Sequence, residues 1–225
     1  MVHLKEGEEF GNEESKTVEF KAHDRLSLTQ LTQKEIDGRL FQPASRTICA
    51  FLNINKKCQL YLGVRDDGTV IGHPMLKVQR EHFIQALQKL MKEKFTPAVD
   101  DYRYSVEFHE VEAKDPNSVH KNVSQLSITD EHKLLQQPHI CWCDKEISQY
   151  KRSGKLPPLY IILVRINLWD PRLDSNKFKI WPYYTSEESK CFTRYNASNH
   201  EMTQDKIVEE TKFDLKELKD LVGRP

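Results

Sequence analysis

The sequence lacks several features that define particular protein classes. Its most apolar stretch, LYIILVRINLW, is interrupted by Arg165 and is shorter than the roughly 20 residues of a membrane span. The beginning, MVHLKEGEEF, contains no apolar signal-peptide core. The 8 glycines form no phosphate-cradling loop, and no internal repeat is visible. We therefore expect a cytosolic or nuclear protein without a membrane span.

Cysteine and net charge are also low. The 5 cysteines are an odd number without regular spacing, which argues against a disulfide framework and indicates a reducing compartment. The 34 basic and 34 acidic side chains cancel, so the whole protein is not an electrostatic clamp on nucleic acid. Any such binding would need a local basic patch or the charges of a partner.

Hydrophobic periodicity predicts a mixed α+β fold. Residues 1–13 are expected to be a frayed polar lead-in to a domain spanning 14–225, in which residues 113–157 form a polar insertion. The predicted strands are TVEFKA, CQLYLGV, TVIG, YRYSVEFHEV, PPLYIILVRINLW (the central strand), KFKIWPYYTS and KCFTRYNASN, the last two joined by an SEESK turn. The predicted helices are LTQLTQKEIDGRL, ASRTICAFLNI, QREHFIQALQKLMKEKF, a helix around DEHKLL or KEISQYK in the insertion, and MTQDKIVEETKFDLKEL.

Four short motifs occur in an informative order. They are ESKTVEFK (14–21), CAFLN (49–53), GVRDDG (63–68) and RYNASN (194–199). Together they resemble the Schlafen family, closely over residues 14–72 and more loosely over 159–205. The resemblance implies a single AlbA-type α+β lobe, in which a mixed sheet is packed by helices.

The resemblance also implies a catalytic site. Several Schlafen proteins are endoribonucleases with three carboxylates and a divalent metal, and the matching residues here are Glu14, Glu19 and Asp66. Oxygen ligands select hard cations such as Mg²⁺ or Mn²⁺, which can activate water and stabilise charge on a phosphate. Lys21 is placed to contact a phosphate. Without the resemblance, the Glu–Lys pair is more typical of a solvated strand face and Asp-Asp-Gly of a turn.

The spacing of the first two carboxylates imposes a structural requirement. Glu19 lies on the strand face opposite Phe20, with Lys21 beside it. Glu14 is five residues earlier and would point to the other face of a straight strand. We therefore expect the chain to bend at Ser15-Lys16 if the two carboxylates are to converge.

Zinc is a less favoured prediction. Larger family members hold a structural zinc, but this chain reads TPAVDDYR and VRINLWD at the matching places, without the ligands. In the insertion, His139, Cys141 and Cys143 could supply three zinc ligands, although their spacing is tighter than usual. An apolar anchor for a long loop is the preferred interpretation of this motif.

Basic residues cluster locally despite the neutral total. The candidates for contacts with RNA phosphates are Arg46, Lys56, Lys57, Arg65 and Arg194. A solvated surface is the alternative for any single one of them.

The leading hypothesis is a metal-dependent endoribonuclease, or the catalytic subunit of an RNA-processing complex. Animal Schlafen nucleases pair two lobes and this chain has one, so the expected partners are RNA and another Schlafen-type lobe in a homo- or hetero-oligomer. Complexes that process small-RNA (piRNA) precursors are one setting. The alternative is a non-catalytic RNA-binding or assembly subunit, and a nucleotide-dependent transcriptional regulator ranks last.

Overall fold

The computed structural model describes residues 4–38, 41–114, 134–135, 143–153, 157–178 and 180–222. The strands are β1 (Leu4–Lys5), β2 (Val18–Lys21), β3 (Cys58–Leu62), β4 (His73–Pro74), β5 (Tyr104–Glu112), β6 (Leu159–Ile166), β7 (Cys191–Tyr195) and β8 (Ser198–Met202). The α-helices are α1 (Gln33–Asp37), α2 (Ala44–Asn53), α3 (Lys77–Lys89), α4 (Cys143–Arg152) and α5 (Gln204–Val222). Short 3-10 turns cover Leu28–Gln30 and Asp101–Arg103, and a π-helical turn, Leu90–Lys94, extends α3.

A mixed sheet forms the centre of the fold. Its strand order is β1-β5-β6-β3-β2, and β4 also pairs with β6. The pairs β1–β5 and β2–β3 are parallel, whereas β6 is antiparallel to both of its main neighbours. The apolar strand β6 is central, as predicted, because nearly all its side chains are buried and only a strand covered on both faces can bury them. The α+β prediction is confirmed.

The two faces of the sheet are covered differently. On one face, Ile162 and Val164 pack with α2 and α3, including Phe51 and Phe83. On the other face, Ile161 and Leu163 belong to a smaller cluster. Its remaining members and the residues packed against it are Phe20, Tyr61, Val64, Val70, Val111, Leu159, Leu4, Phe10, Val18 and Ala113. This division follows the two-residue alternation of strand side chains.

Residues 1–13 were expected to be a frayed lead-in, but residues 4–10 are held against the sheet. Leu4–Lys5 pairs with β5, and the Phe10 amide donates to the carbonyl of Gly68 at 2.9 Å. The Phe10 ring lies 4.6 Å from the ring of Tyr61, edge to face. These apolar and backbone contacts hold a segment whose polar composition suggested fraying.

The C-terminal strand prediction is wrong in part. KCFTRYNASN is not one strand: it contains β7 and the first two residues of its partner β8, joined by a turn at Asn196, whose φ is +52°. Among the described residues of KFKIWPYYTS, only Thr185 makes isolated bridges. Pro182 has no amide hydrogen to donate to a ladder, and the Asp174 carboxylate instead accepts the amides of the preceding loop.

The insertion contains one described helix, α4, which includes the KEISQYK segment proposed as helical. Its Ile147 is buried against Leu76. In the described part of the chain, no helix combines the length and apolar character needed to cross a bilayer.

Candidate active site

A cavity of about 580 Å³ opens beside β2 and the segment that follows β3. The predicted residues Glu14, Glu19, Lys21 and Asp66 all line it. Because β2 and β3 are parallel, both chains leave the sheet at the same edge, and Gly68, with φ +82°, completes the turn that carries Asp66. The tertiary structure therefore brings the three predicted carboxylates to one cavity.

The predicted bend before β2 is present. The Ser15 amide donates to the carbonyl of Val18 at 2.9 Å, closing a tight turn, and the Thr17 amide donates to the Ser15 hydroxyl at 3.2 Å. The turn brings Glu14 alongside β2, where Glu14 Oε1 accepts the amide of Phe20 at 2.9 Å. The local backbone thus holds Glu14 near Glu19 in spite of their odd spacing.

Glu14 is electrostatically coupled to the other two acids. Burial raises the pKa of the Glu14 carboxyl above its usual value, and the charges of Glu19 and Asp66 raise it further. The Phe20 amide and the Arg194 charge oppose that rise. A cation in the cavity would relieve the repulsion and favour the ionised form.

Glu19 is the most enclosed carboxylate of the cavity, at 7 % exposure. Lys21 Nζ lies 3.2 Å from Glu19 Oε1, and the Thr47 hydroxyl donates to the same oxygen over a long 3.5 Å. Arg194 Nη2 lies 2.7 Å from Glu19 Oε2. That Arg194 nitrogen directs its hydrogens to the carbonyls of Ser15 and Val18, so Oε2 has ionic attraction but no aligned donor in the described residues.

Arg194 is not the phosphate contact that we expected. Its side chain is fully buried, with the guanidinium 5.0 Å from the ring centre of Phe51. Arg194 Nη1 donates to Asn199 Oδ1 at 2.9 Å, and the Asn199 amide donates to the Thr47 hydroxyl at 2.8 Å. A closed polar network therefore joins Arg194, Asn199, Thr47 and Glu19, and it positions the Glu19 carboxylate.

The remaining basic candidates are not gathered at the cavity. Arg46 makes a two-pronged ion pair with Glu188, at 2.6 and 2.7 Å, so a phosphate would have to compete with that carboxylate. Lys56 and Lys57 are exposed but precede β3, about 17 Å along the strand from its other end. Arg65 is exposed and adjacent to Asp66, and it is the best placed of the five.

The donor chemistry of the cavity fits a hard divalent cation, but the ligands do not surround a single point. Within the described ranges, no group of three or more His, Cys, Asp or Glu side chains is arranged to hold a metal ion. Glu19 Oε2, buried without an aligned donor, has an unused lone pair. Asp66 is exposed, so its side chain can change rotamer at little cost. Glu14, Glu19 and Asp66 are the residues that would hold the ion.

The zinc prediction falls largely outside the described residues. His139 and Cys141 are not among them, and for Cys143 only the backbone is described, as the first residue of α4.

The cavity wall also includes residues that sequence reasoning did not select, among them His23, Phe41, Gln42 and Asn199. His23 Nδ1 accepts the amide of Arg25 at 3.1 Å, and burial together with the Lys21 charge lowers the His23 pKa to about 4. The RYNASN motif contains Asn199 and was a usable signal. Phe41 and Gln42 lie in an irregular segment with no periodic pattern.

Fold and site together define an α+β lobe with an acid-lined cavity at the edge of a mixed sheet. The family model described as Schlafen, AlbA_2 matches residues 14–203, which is most of the chain. The chain therefore belongs to the Schlafen AlbA_2 family, a family with nuclease-like members.

Proposed function

We propose that this protein is a metal-dependent endoribonuclease, or the catalytic subunit of an RNA-processing complex. The observation that carries the proposal is the placement of Glu14, Glu19 and Asp66 around one cavity with Lys21. Family membership supports the reaction class, since the family has nuclease-like members.

The roles of the residues follow from their surroundings. Glu14, Glu19 and Asp66 would hold Mg²⁺ or Mn²⁺, which when bound supplies activated water and stabilises phosphate charge. Arg194 and Thr47 orient the Glu19 carboxylate through the buried network. Lys21 is paired with Glu19 at 3.2 Å, and it offers a positive charge at the cavity wall for a phosphate oxygen.

A matched pair of variants tests the proposal. Asp66 and Asp67 lie in the same exposed turn, but only Asp66 lines the cavity, while Asp67 accepts the Thr69 amide at 2.9 Å. Asp66→Asn should lower RNA cleavage with Mg²⁺ or Mn²⁺ by at least about 100-fold. Asp67→Asn removes the same charge and keeps its acceptor oxygen, so it should cleave at the parent rate. Equal rates for the two variants would contradict the carboxylate assignment.

The second candidate is a non-catalytic RNA-binding or assembly subunit. It is favoured by the absence, in the part of the chain described, of a ready three-ligand metal group. Absence of cleavage with either metal, alone and with co-purified partners, together with retained RNA binding, would support it. Structured RNAs and small-RNA precursors are the substrates to compare.

We also propose that the lobe acts beside another Schlafen-type lobe. The net charge of zero supports this, because one lobe alone provides little overall attraction for RNA. Light scattering of the purified protein, with and without co-purified proteins, measures the assembly directly. A monomer that cleaves RNA at full rate would contradict the proposal.

A further inference from the structure

The cavity has a second wall that differs in chemistry from the carboxylate wall. Phe41, Gln42 and His23 line it together with the acids. Phe41 is 38 % exposed, so part of its ring is accessible to a molecule in the cavity. Its ring meets the His23 ring edge to face, with centroids 5.1 Å apart and planes at 80°. This wall is aromatic and amide-bearing, without a charge at neutral pH.

His23 is fixed in one form beside Phe41. Because His23 Nδ1 accepts the Arg25 amide at 3.1 Å, the proton of the neutral ring lies on Nε2. The lowered pKa, caused first by burial, keeps this ring neutral over the physiological range. The neutral imidazole in the cavity lining therefore carries one N–H donor, at Nε2.

The aromatic wall continues beyond the main cavity. A neighbouring cavity of about 330 Å³ also contains Phe41 and Gln42, and it adds Leu28, Ile36 and Arg46. Phe41 and Gln42 are thus shared by two adjacent cavities. A molecule bound in one cavity could extend past these residues into the other. A chain of linked units, rather than one small molecule, suits this arrangement.

We propose that Phe41, Gln42 and His23 form a pocket for one unpaired nucleobase adjacent to the cleaved phosphate. This inference rests on the proposed function, and it names the substrate class as RNA that is single-stranded or looped at the cut. Phe41 stacks on the base, because an exposed aromatic ring offers a face that any base can use. The Gln42 amide carries both a donor and an acceptor for a base edge.

The two sets of lining residues suit different parts of a nucleotide: the carboxylates suit the phosphate with its cation, and Phe41 suits the base. Negative phosphates are repelled by Glu14, Glu19 and Asp66 unless a cation lies between them. A neutral base has no such penalty and gains most from an apolar ring. A base held in a duplex cannot reach Phe41 unless it first unstacks and unpairs. Looped RNA should therefore be preferred over a fully paired duplex.

Binding measurements in a cleavage-impaired background test the pocket. The Asp66→Asn protein is titrated with a fluorescein-labelled RNA hairpin bearing a single-stranded loop, and with a fully paired duplex of equal length. Adding Phe41→Leu should weaken hairpin binding about 5- to 150-fold, the range expected for loss of one stacked base, and leave duplex binding unchanged. Phe41→Trp should retain binding. Phe213→Leu, at another exposed phenylalanine on α5, is the control and should have no effect.

Hairpins with an abasic site at successive loop positions add a second readout. When the missing base is the one that stacks on Phe41, the Asp66→Asn protein and the Asp66→Asn/Phe41→Leu protein should bind the hairpin equally. The loop position at which this occurs identifies the stacked base. Melting temperatures verify that each variant is folded.

The outcomes separate the pocket from the nuclease. Unchanged hairpin affinity in Phe41→Leu, in a protein that cleaves RNA, overturns the pocket and leaves the nuclease intact. Phe41-dependent hairpin binding in a protein that cleaves no RNA supports the pocket and overturns the nuclease. Absence of any RNA binding overturns both.

Discussion

Arg194 and Glu19 form a buried ion pair, with 2.7 Å between Arg194 Nη2 and Glu19 Oε2. Arg194 is fully enclosed, whereas Glu19 is 7 % exposed and lines the cavity. The arginine comes from β7 and the glutamate from β2, so the pair ties the C-terminal hairpin to the edge of the main sheet. The pair therefore links the stability of the lobe to the geometry of its cavity.

Loss of Arg194 should destabilise the protein strongly. Arg194→Met removes the partner of a buried carboxylate. The free energy of unfolding, measured by denaturant titration, should fall by about 3–5 kcal/mol. The control is Arg172→Met, which breaks an ion pair with Asp170 at the surface and should leave the midpoint unchanged. A similar midpoint for both variants would show that the buried pair is not structural.

Asn53 should be the second polar residue on which the fold depends. Its amide donates to the carbonyls of Tyr184 and Phe192 at 2.9 and 2.8 Å, and its Oδ1 accepts the Tyr184 amide at 2.7 Å. Asn53→Leu leaves these buried groups without partners, which costs about 1–3 kcal/mol for each unsatisfied group. Thermal unfolding measures the loss. Substitution of the exposed Asn196, with Gly to respect its positive φ, is the control and should be tolerated.

His23 should make stability depend on pH. The His23 pKa is about 4 in the folded protein, against 6.5 for an ordinary histidine. Between these values the unfolded chain binds more protons, so this contribution to stability is present above about pH 6.5 and is lost as the pH falls towards 4. In His23→Gln, the free energy of unfolding should vary less over that window than in the parent. His200→Gln, at an exposed histidine, should follow the parent curve.

A divalent cation should stabilise the protein through the carboxylates. Mn²⁺ or Mg²⁺ should raise the melting temperature, by an amount equivalent to about 2.7 kcal/mol at a hundredfold excess over Kd. Because the Glu14 pKa is raised and a metal ligand must be ionised, the shift should be larger at neutral pH than at about pH 5. Asp66→Asn should reduce the shift, whereas Asp67→Asn should keep it. A shift that is equal in all three proteins would place the ion elsewhere.

Several elements of the fold were predictable because their signals are local. The alternation around Phe20 correctly predicted a strand, although Glu19 and Lys21 on its other face are also buried. The uniformly apolar β6 correctly predicted a central strand. The spacing of Glu14 and Glu19 predicted the bend at residues 15–16, since strand geometry permits no other way for both to face one cavity.

Other features depend on contacts that sequence patterns do not specify. The strand β7 is buried on both faces at Cys191, Phe192, Thr193 and Arg194. Its sequence therefore has no polar–apolar alternation from which the burial of Arg194 could be predicted. The N-terminal segment is polar on average, yet Leu4 and Phe10 pack on the sheet. Phe41 and Gln42 lie in a segment without hydrophobic periodicity, and only the three-dimensional structure shows that they line the cavity.

By itself, the sequence determined the α+β class, the central strand, the bend before β2 and the motifs that predict the carboxylates. These depend on period, polarity and spacing, which act over a few residues. Only the tertiary structure decided that Arg194 is buried beside Glu19 and that Phe41 and His23 line the same cavity as the acids. Whether a charged side chain is buried depends on which residues, distant in sequence, surround it. For Arg194, the packing of β7, α2 and β2 determines those residues.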